Sequence, residues 1–482
     1  MNPVLPGMHP DPSVCRVGDD YYLVCSSFEY FPGIPVFHSR DLVRWKQIGN
    51  ALDRPGQLSL TAATPSSAGI YAPTLRFHDG RFWLVVTSVS HGGGNVVLTA
   101  TDPAGPWSDP VPLPDVHGID PDLAWDDEGN CWCTVAGVHQ YQIDPVTGET
   151  FGAPQRLWSG TPGAKAPEAP HLHRIGDHWY LLIAEGGTER GHAVSIARGT
   201  SPTGPFEPCP ANPVLSHRGT DEPVQNTGHA DLVQAPDGAW WMVLLGVRPR
   251  GGTPGWHVLG RETFLAPVTW VDGWPVVGDL VPGPAHAVSE RDDFDLDELA
   301  PCWISPRTRP TTGERPGWLT LHARGSGMDD PAVAFVGRRQ QHLSCVVRTL
   351  MDPADGSGGL AVRLDEDHHY EIEVASGEVR VLARIGPLSS VVASRPAPGG
   401  PLVLAVRVQE DQTPLDARSG PDTLTFGVEE PGGTFTALAA LDGKYLSTEV
   451  AGGFTGRVIG MYAARGTVLF DWFEYSTDCE DS

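Results

Sequence analysis

The chain has 482 residues, too long for one ordinary domain and about right for two or three. Its formal net charge is −26, from 59 acidic and 33 basic residues. That balance disfavours nucleic acid and anionic membrane surfaces as partners and suits a soluble protein with a neutral or cationic ligand.

The 57 glycines and 46 prolines make up about a fifth of the residues and are spread along the chain, as expected for many short strands joined by turns. The N-terminus lacks a basic region followed by an apolar run, and no window approaches a membrane span. The eight cysteines are scattered, and Cys131-Trp132-Cys133 is neither a metal nor a redox spacing. The expectation is a cytoplasmic protein with mostly reduced thiols.

The first distinctive stretch is "MHPDPS" (8–13). Pro10 and Pro12 fix their own φ and push the residue before them toward extended geometry, so Asp11 is expected to be held extended and stiff. Alone, the stretch reads as a turn, because Asp-Pro recurs at Asp102, Asp109, Asp144, Asp330 and Asp352.

A phrase then repeats five times: a Gly- or Asp-containing turn, an aromatic-rich strand and small residues. The copies are "GDDYYLVCSS" from Gly18, "DGRFWLVVTS" from Asp79, "DEGNCWCTVAG" from Asp127, "GDHWYLLIAEGG" from Gly176 and "DGAWWMVLLGV" from Asp237. They start roughly 48 to 61 residues apart, within the range of propellers and arrays. A second phrase follows most copies: a polar turn, then Trp or Phe, as in "SRDLVRWKQIG" (39–49), "TDPAGPWSDPV" (101–111) and "SPTGPFEPCP" (201–210). Five ordered copies with almost no helical periodicity predict a five-bladed β-propeller over residues 1–287.

Near residue 285 the texture changes. "VPGPAHAVSERDDFD" (281–295) reads as a linker. Alternating runs such as "GGLAVRLDEDHHYEIEVASGEVRVLARIG" and "PLVLAVRVQE" then predict an antiparallel β-sandwich over 288–482. The fold class is all-β: a propeller followed by a sandwich that packs on it.

Each aromatic strand has a comparable lead-in: Asp11, "GIYAPTLRF" (69–77), "HGIDPDLAW" (117–125), "KAPEAPHLHRI" (165–175) and "NTGHADLV" (226–233). Asp11, Asp120 and Glu168 occupy matching slots at the funnel of such a propeller. Two carboxylates flanking a bond are what glycoside hydrolysis needs, one protonated and one ionised. A third carboxylate beside the acid raises its pKa by repulsion. Glu168, in an apolar "APEAP" setting, suits the acid. The plainer readings are turn caps for Asp120 and Asp122 and a rim salt bridge for Glu168.

These segments, with "PEAPHL" (167–172), "TGHADLV" (227–233) and "LGRETF" (259–264), resemble glycoside hydrolase family 43, in its two-domain β-xylosidase and α-L-arabinofuranosidase branch. From "RDDFD" (291–295) to "FDWFEY" (470–475) the chain resembles the concanavalin-like sandwich of that branch. The resemblance implies an inverting exo-hydrolase of short xylo- or arabino-oligosaccharides that requires no cofactor and forms a homo-oligomer. It implies that Asp11 is the general base, Asp120 the aspartate that tunes and orients the acid, and Glu168 the general acid. It places Arg261 near the carboxylates, His229 near the axis and Phe28 in the sugar pocket. It also admits a structural calcium ion reached from His229 through water, or a wall role for His229 alone. "GGFTG" (452–456) is a candidate loop that carries Phe454 toward the site.

The chain departs from the family at three places. Asp122 stands where Ser is common and adds a carboxylate that could share a face with Asp120. Ala169 stands for Gly beside the acid, and Tyr71 for Trp. An inverting site implies carboxyl groups about 6.5–9.5 Å apart. Competing readings are a non-catalytic carbohydrate-binding protein, which predicts loss of a carboxylate, and a phosphorylase or fructan-cleaving propeller. A phosphorylase needs a basic cluster at the funnel, where only Arg261 is well placed.

Overall fold

Each aromatic phrase of the repeat is the second strand of a four-stranded antiparallel sheet. The computed structural model describes residues 3–58, 60–90, 92–284, 287–310, 315–411 and 418–477. The second strands are Asp20–Val24, Arg81–Ser88, Cys131–Val135, His178–Glu185 and Trp240–Val247. The lead-ins form the first strands, Ser13–Val17, Ile70–His78, Asp122–Trp125, Glu168–Ile175 and Gln225–Gln234. The Trp/Phe phrases turn the chain from the third strand to the fourth. Every sheet is a meander in sequence order, and the five first strands contact one another around a ring. The architecture is a five-bladed propeller.

Strand alternation explains why the blades stack. Successive side chains point to opposite faces, so one strand can serve two seams. In the second blade Leu84 packs toward the first blade, while Trp83 and Val85 pack toward the third. Five such seams close the circle, the last joining Val14 and Leu23 to Val243 and Leu265. The N-terminal segment bridges that join, with the Val4 and Leu5 amides donating to the Thr263 carbonyl.

The seams are apolar, but the axis is polar. Arg76 of the second blade donates to Asp122 Oδ1 of the third (2.7 Å) and to Asp231 Oδ2 of the fifth (2.9 Å). Its NH1 also reaches Ser13 Oγ of the first (3.3 Å), and its NH2 lies 2.9 Å from His171 Nδ1 of the fourth. Asp231 accepts from Ser13 Oγ and from the Val14 amide, and Asp122 accepts from the Leu172 amide. One knot therefore ties all five blades. Burial alone would raise the Asp231 carboxyl, but Arg76 with His171 and His173 holds it well below the usual range.

Beyond the last propeller strand, Trp274–Val277, the chain enters a sandwich whose first strand is Ser289–Asp292. A seven-stranded and a six-stranded antiparallel sheet enclose one core, including Val347, Leu404, Phe426 and Phe470 from the first and Val336, Leu360 and Met461 from the second. The sandwich grips the propeller. Ser305–Pro306 pairs with Tyr30–Phe31, and an apolar cluster joins Met8, Phe28 and Tyr30 to Phe335, Val458 and Tyr462. Within it Arg363 donates to Tyr30 (2.8 Å) and to Glu366 (2.7 Å), and lies 3.6 Å from the buried Glu29.

Among the described residues no helix is long and apolar enough to cross a membrane. Cys15, Cys25, Cys131, Cys133, Cys209 and Cys302 carry free thiols.

Removing the guanidinium in Arg76→Ala would leave Asp122 and Asp231 buried without their counter-charge. The expected loss is about 3–5 kcal/mol of stability, read from urea unfolding of the full chain.

Candidate active site

The inner strands carry a recurring distortion at their mouths. Asp11, Asp120, Ala169 and His229 all have positive φ, between 45° and 56°. Each lies two residues before a member of the axial knot: Ser13, Asp122, His171 and Asp231. In blades two, four and five the ladder register also slips at this level, the sign of a β-bulge. A bulge re-aims a side chain that regular pleating would place elsewhere. Non-glycine residues rarely adopt this conformation, and such strain gathers where function needs it.

Asp11 therefore differs from its expected extended state, with φ of 56°. The flanking prolines favour extended backbone, but tertiary bonds outweigh them. Asp11 accepts from Ser26 Oγ (2.6 Å) and from Arg261 NH1 (2.9 Å), and His229 Nδ1 lies 3.3 Å away. Arg261 is itself fixed, since NH1 also donates to Thr188 (3.0 Å) and its carbonyl accepts from the His9 amide.

Asp122 also departs from expectation. It does not stand beside Asp120 in the pocket; it belongs to the axial knot, bonded to Arg76. The left-handed turn at Asp120 sends the two aspartates in different directions. Asp120 instead accepts from the Ala169 amide (3.2 Å), next to Glu168.

The pocket is narrow, about 80 Å³, and its walls include Asp11, Asp120 and Glu168 as well as Arg261, His229 and His192. Its aromatic wall is Phe28, Tyr71 and Phe454, with ring centroids 5.8–6.0 Å apart. Phe28 is locked to the second blade by paired bonds with Ile70. Gly69 permits this approach, because a Cβ there would sit 2.4 Å from the Phe28 carbonyl oxygen. Phe454 comes from the sandwich, and its amide donates to Ser67 Oγ of the propeller at 2.9 Å. Two residues on, a side chain at Gly456 would meet the Leu259 carbonyl at 2.2 Å. The sandwich loop thus presses closely on the backbone that carries Arg261.

The three carboxyls face different electrostatics. Burial pushes Asp11 up, but Arg261, His229 and Ser26 outweigh it and leave its pKa lowered. Burial, then repulsion from Glu168 and Asp11, pushes Asp120 well above the ordinary range. Burial and the charge of Asp11 raise Glu168 to about 7, although Arg261 opposes the shift. One carboxylate is held ionised beside a pair that retains a proton. Burial also lowers His229 to about 3 and His192 to about 4, so both rings are neutral.

Calcium prefers oxygen ligands. His229 is surrounded by the rings of His171 and His192, the Arg261 guanidinium and an Asp11 already bonded to Arg261. This donor set does not fit a directly ligated calcium ion. Among the described residues no group of three His, Cys, Asp or Glu is arranged to hold a metal.

The model of glycosyl hydrolases family 43 matches residues 1–275, and that of the β-xylosidase C-terminal concanavalin A-like domain matches 291–476. The chain belongs to glycosyl hydrolase family 43. This family-43 enzyme is 40% identical to a non-reducing end α-L-arabinofuranosidase of Bacteroides ovatus, over 98% of this chain and 94% of that protein. It is 34% identical to a xylosidase/arabinosidase of Butyrivibrio fibrisolvens, over 98% of each. Among solved structures, a family-43 protein of Bacillus licheniformis superposes with a TM-score of 0.89 at 32% identity, covering 98% of this chain and 99% of that one.

Eight of the residues singled out in the sequence of this glycoside hydrolase line the same pocket: Asp11, Phe28, Tyr71, Asp120, Glu168, His229, Arg261 and Phe454. Sequence reasoning missed Ser26, Thr188 and His192. Ser26 lies in the small residues that end the first aromatic phrase, a signal shared by every copy and hence unspecific.

The carboxyl resonance of Glu168 in carbon-13-labelled enzyme should titrate with a midpoint near 7. In Asp11→Asn the midpoint should fall, because a repelling charge has gone. An unchanged midpoint would mean that Asp11 does not act on Glu168.

Proposed function

We propose that this enzyme is an inverting exo-glycosidase that releases terminal β-D-xylose from xylo-oligosaccharides. The carrying observation is the divergence of the carboxyls: Asp11 held ionised by Arg261, Glu168 raised to about 7. These are the states that a base and an acid need near neutral pH.

In this mechanism Asp11 accepts a proton from a water on the far side of the anomeric carbon. The water oxygen bonds to that carbon as the glycosidic C–O bond breaks. Glu168 delivers its proton to the departing oxygen. Asp120, buried beside Glu168, favours one shared proton over two charges and so keeps the acid loaded. Arg261 and Ser26 hold Asp11 in one orientation. Phe28, Tyr71 and Phe454 wall a space whose small volume suits one sugar ring rather than a stretch of chain, which supports exo action.

A second reading is α-L-arabinofuranosidase activity, alone or beside xylosidase activity. It is favoured by the name of the 40% identical Bacteroides relative and by the joint name of the Butyrivibrio one. Relative rates on the two matching 4-nitrophenyl glycosides decide between the sugars.

The role of Glu168 is tested by leaving group. Nitrophenolate departs without a proton, whereas a sugar hydroxyl does not. Glu168→Gln should therefore slow xylobiose hydrolysis by about 10²–10⁴-fold and 4-nitrophenyl β-D-xyloside hydrolysis much less. Equal losses on both substrates would remove Glu168 from the role of acid.

A further inference from the structure

Six arginines are buried in the described structure: Arg248, Arg261, Arg307, Arg339, Arg363 and Arg457. Five have a carboxylate within reach. Arg248 meets Glu262 (2.7 Å), Arg261 meets Asp11 (2.9 Å), Arg307 and Arg363 meet Glu366 (2.6 and 2.7 Å), and Arg457 meets Asp422 (2.6 Å). Arg339 is the exception. It is 5% exposed, and its Nε and one NH2-type nitrogen are sealed from solvent with no hydrogen-bond partner among the described residues.

A buried guanidinium without a counter-charge is costly, and an orphaned buried donor calls for an explanation. Burial pulls the Arg339 pKa down to about 10, and the neighbouring Cys25, Tyr30 and Cys302 restore it only in part. Arg339 is still a cation at neutral pH. Its charge helps to keep His9, already depressed by burial, in the neutral form.

Arg339 ends the strand Ala334–Arg339 and lines a cavity of about 460 Å³ between the propeller and the sandwich. The cavity is separate from the carboxylate pocket and several times larger. Leu5, Phe37 and Trp45 face it from the propeller, and Arg338 and His342 flank Arg339 on the sandwich side. Among the described residues of its wall the one carboxylate, Glu290, is already bonded to Arg338. Arg44, on the rim, is paired with Asp41. The wall therefore combines an uncompensated buried cation with apolar and aromatic surface, in a chain that is otherwise strongly acidic.

We propose that this interdomain cavity binds a small organic anion, a carboxylate or phosphate carried on a sugar-sized body, with Arg339 as its counter-charge. The one guanidinium nitrogen of Arg339 that is not sealed can donate to either group, and the aromatic wall suits the apolar face of a sugar ring. A uronic acid and a sugar phosphate share this chemistry. The proposal does not depend on which pentose the catalytic pocket accepts.

The test is calorimetric titration of the full chain in low-chloride buffer with D-glucuronate and, separately, with inorganic phosphate. At least one should bind the wild type, and Arg339→Met should weaken that binding by about tenfold or more, the value of a charge-assisted bond. Binding of glucuronate alone assigns an acidic sugar; binding of phosphate alone assigns a phosphate ester. Any anion held instead by Arg261 would persist in the variant. Failure of both anions to bind the wild type, or equal binding by Arg339→Met, overturns the proposal. Should the variant fail to fold, wild-type crystals soaked in each anion decide: anion density against the Arg339 guanidinium supports the site, and water alone there overturns it.

Discussion

The structure depends on one largely shielded cation at the propeller axis, Arg76. Five sheets packed through apolar seams could close with some freedom of tilt, because apolar contact is not directional. Arg76 removes that freedom. Its planar fork demands acceptors at fixed angles, and the third and fifth blades meet that demand with Asp122 and Asp231 while Ser13 and His171 complete it from the first and fourth. A buried ion pair need not raise net stability over an apolar replacement, but it sets geometry. Here the geometry it sets is the level at which four of the five inner strands turn left-handed, two residues above the knot. The site is built on that level.

What the level supplies is three acids in one small volume with unlike environments. Three equivalent carboxylates would repel one another to no purpose. Arg261 breaks the equivalence by taking Asp11 alone, through a direct 2.9 Å bond. The ionised Asp11 then helps to raise both Asp120 and Glu168. The sandwich takes part in this arrangement. Its loop supplies Phe454 and packs its backbone against the residues just before Arg261.

Much of this was legible in the sequence, and the limits have physical causes. The five blades were readable because each needs the same turn and the same aromatic strand to fill two seams. Asp11, Asp120 and Glu168 were readable because they hold equivalent positions in those repeats. The sign of φ at Asp11 was not, since local proline preferences point one way and bonds from residues 15 and 250 positions distant point the other. Asp122 could not be placed for a related reason. Period-two alternation puts it on the same side as Asp120, and the left-handed residue between blade lead-in and strand cancels that rule. Arg76 sits within the quoted "YAPTLRF", but nothing local marks it as the partner of carboxylates in two other blades. The lack of a partner for Arg339 is likewise a property of the interface between domains, invisible in either alone.

The central claim is that Asp11 activates water on the face of the sugar opposite Glu168, in a single displacement. The anomer first released measures this directly. Proton NMR of the early products from a β-D-xyloside should show α-xylose, followed by slow mutarotation. First release of β-xylose would require a covalent intermediate and two displacements, and would contradict the account.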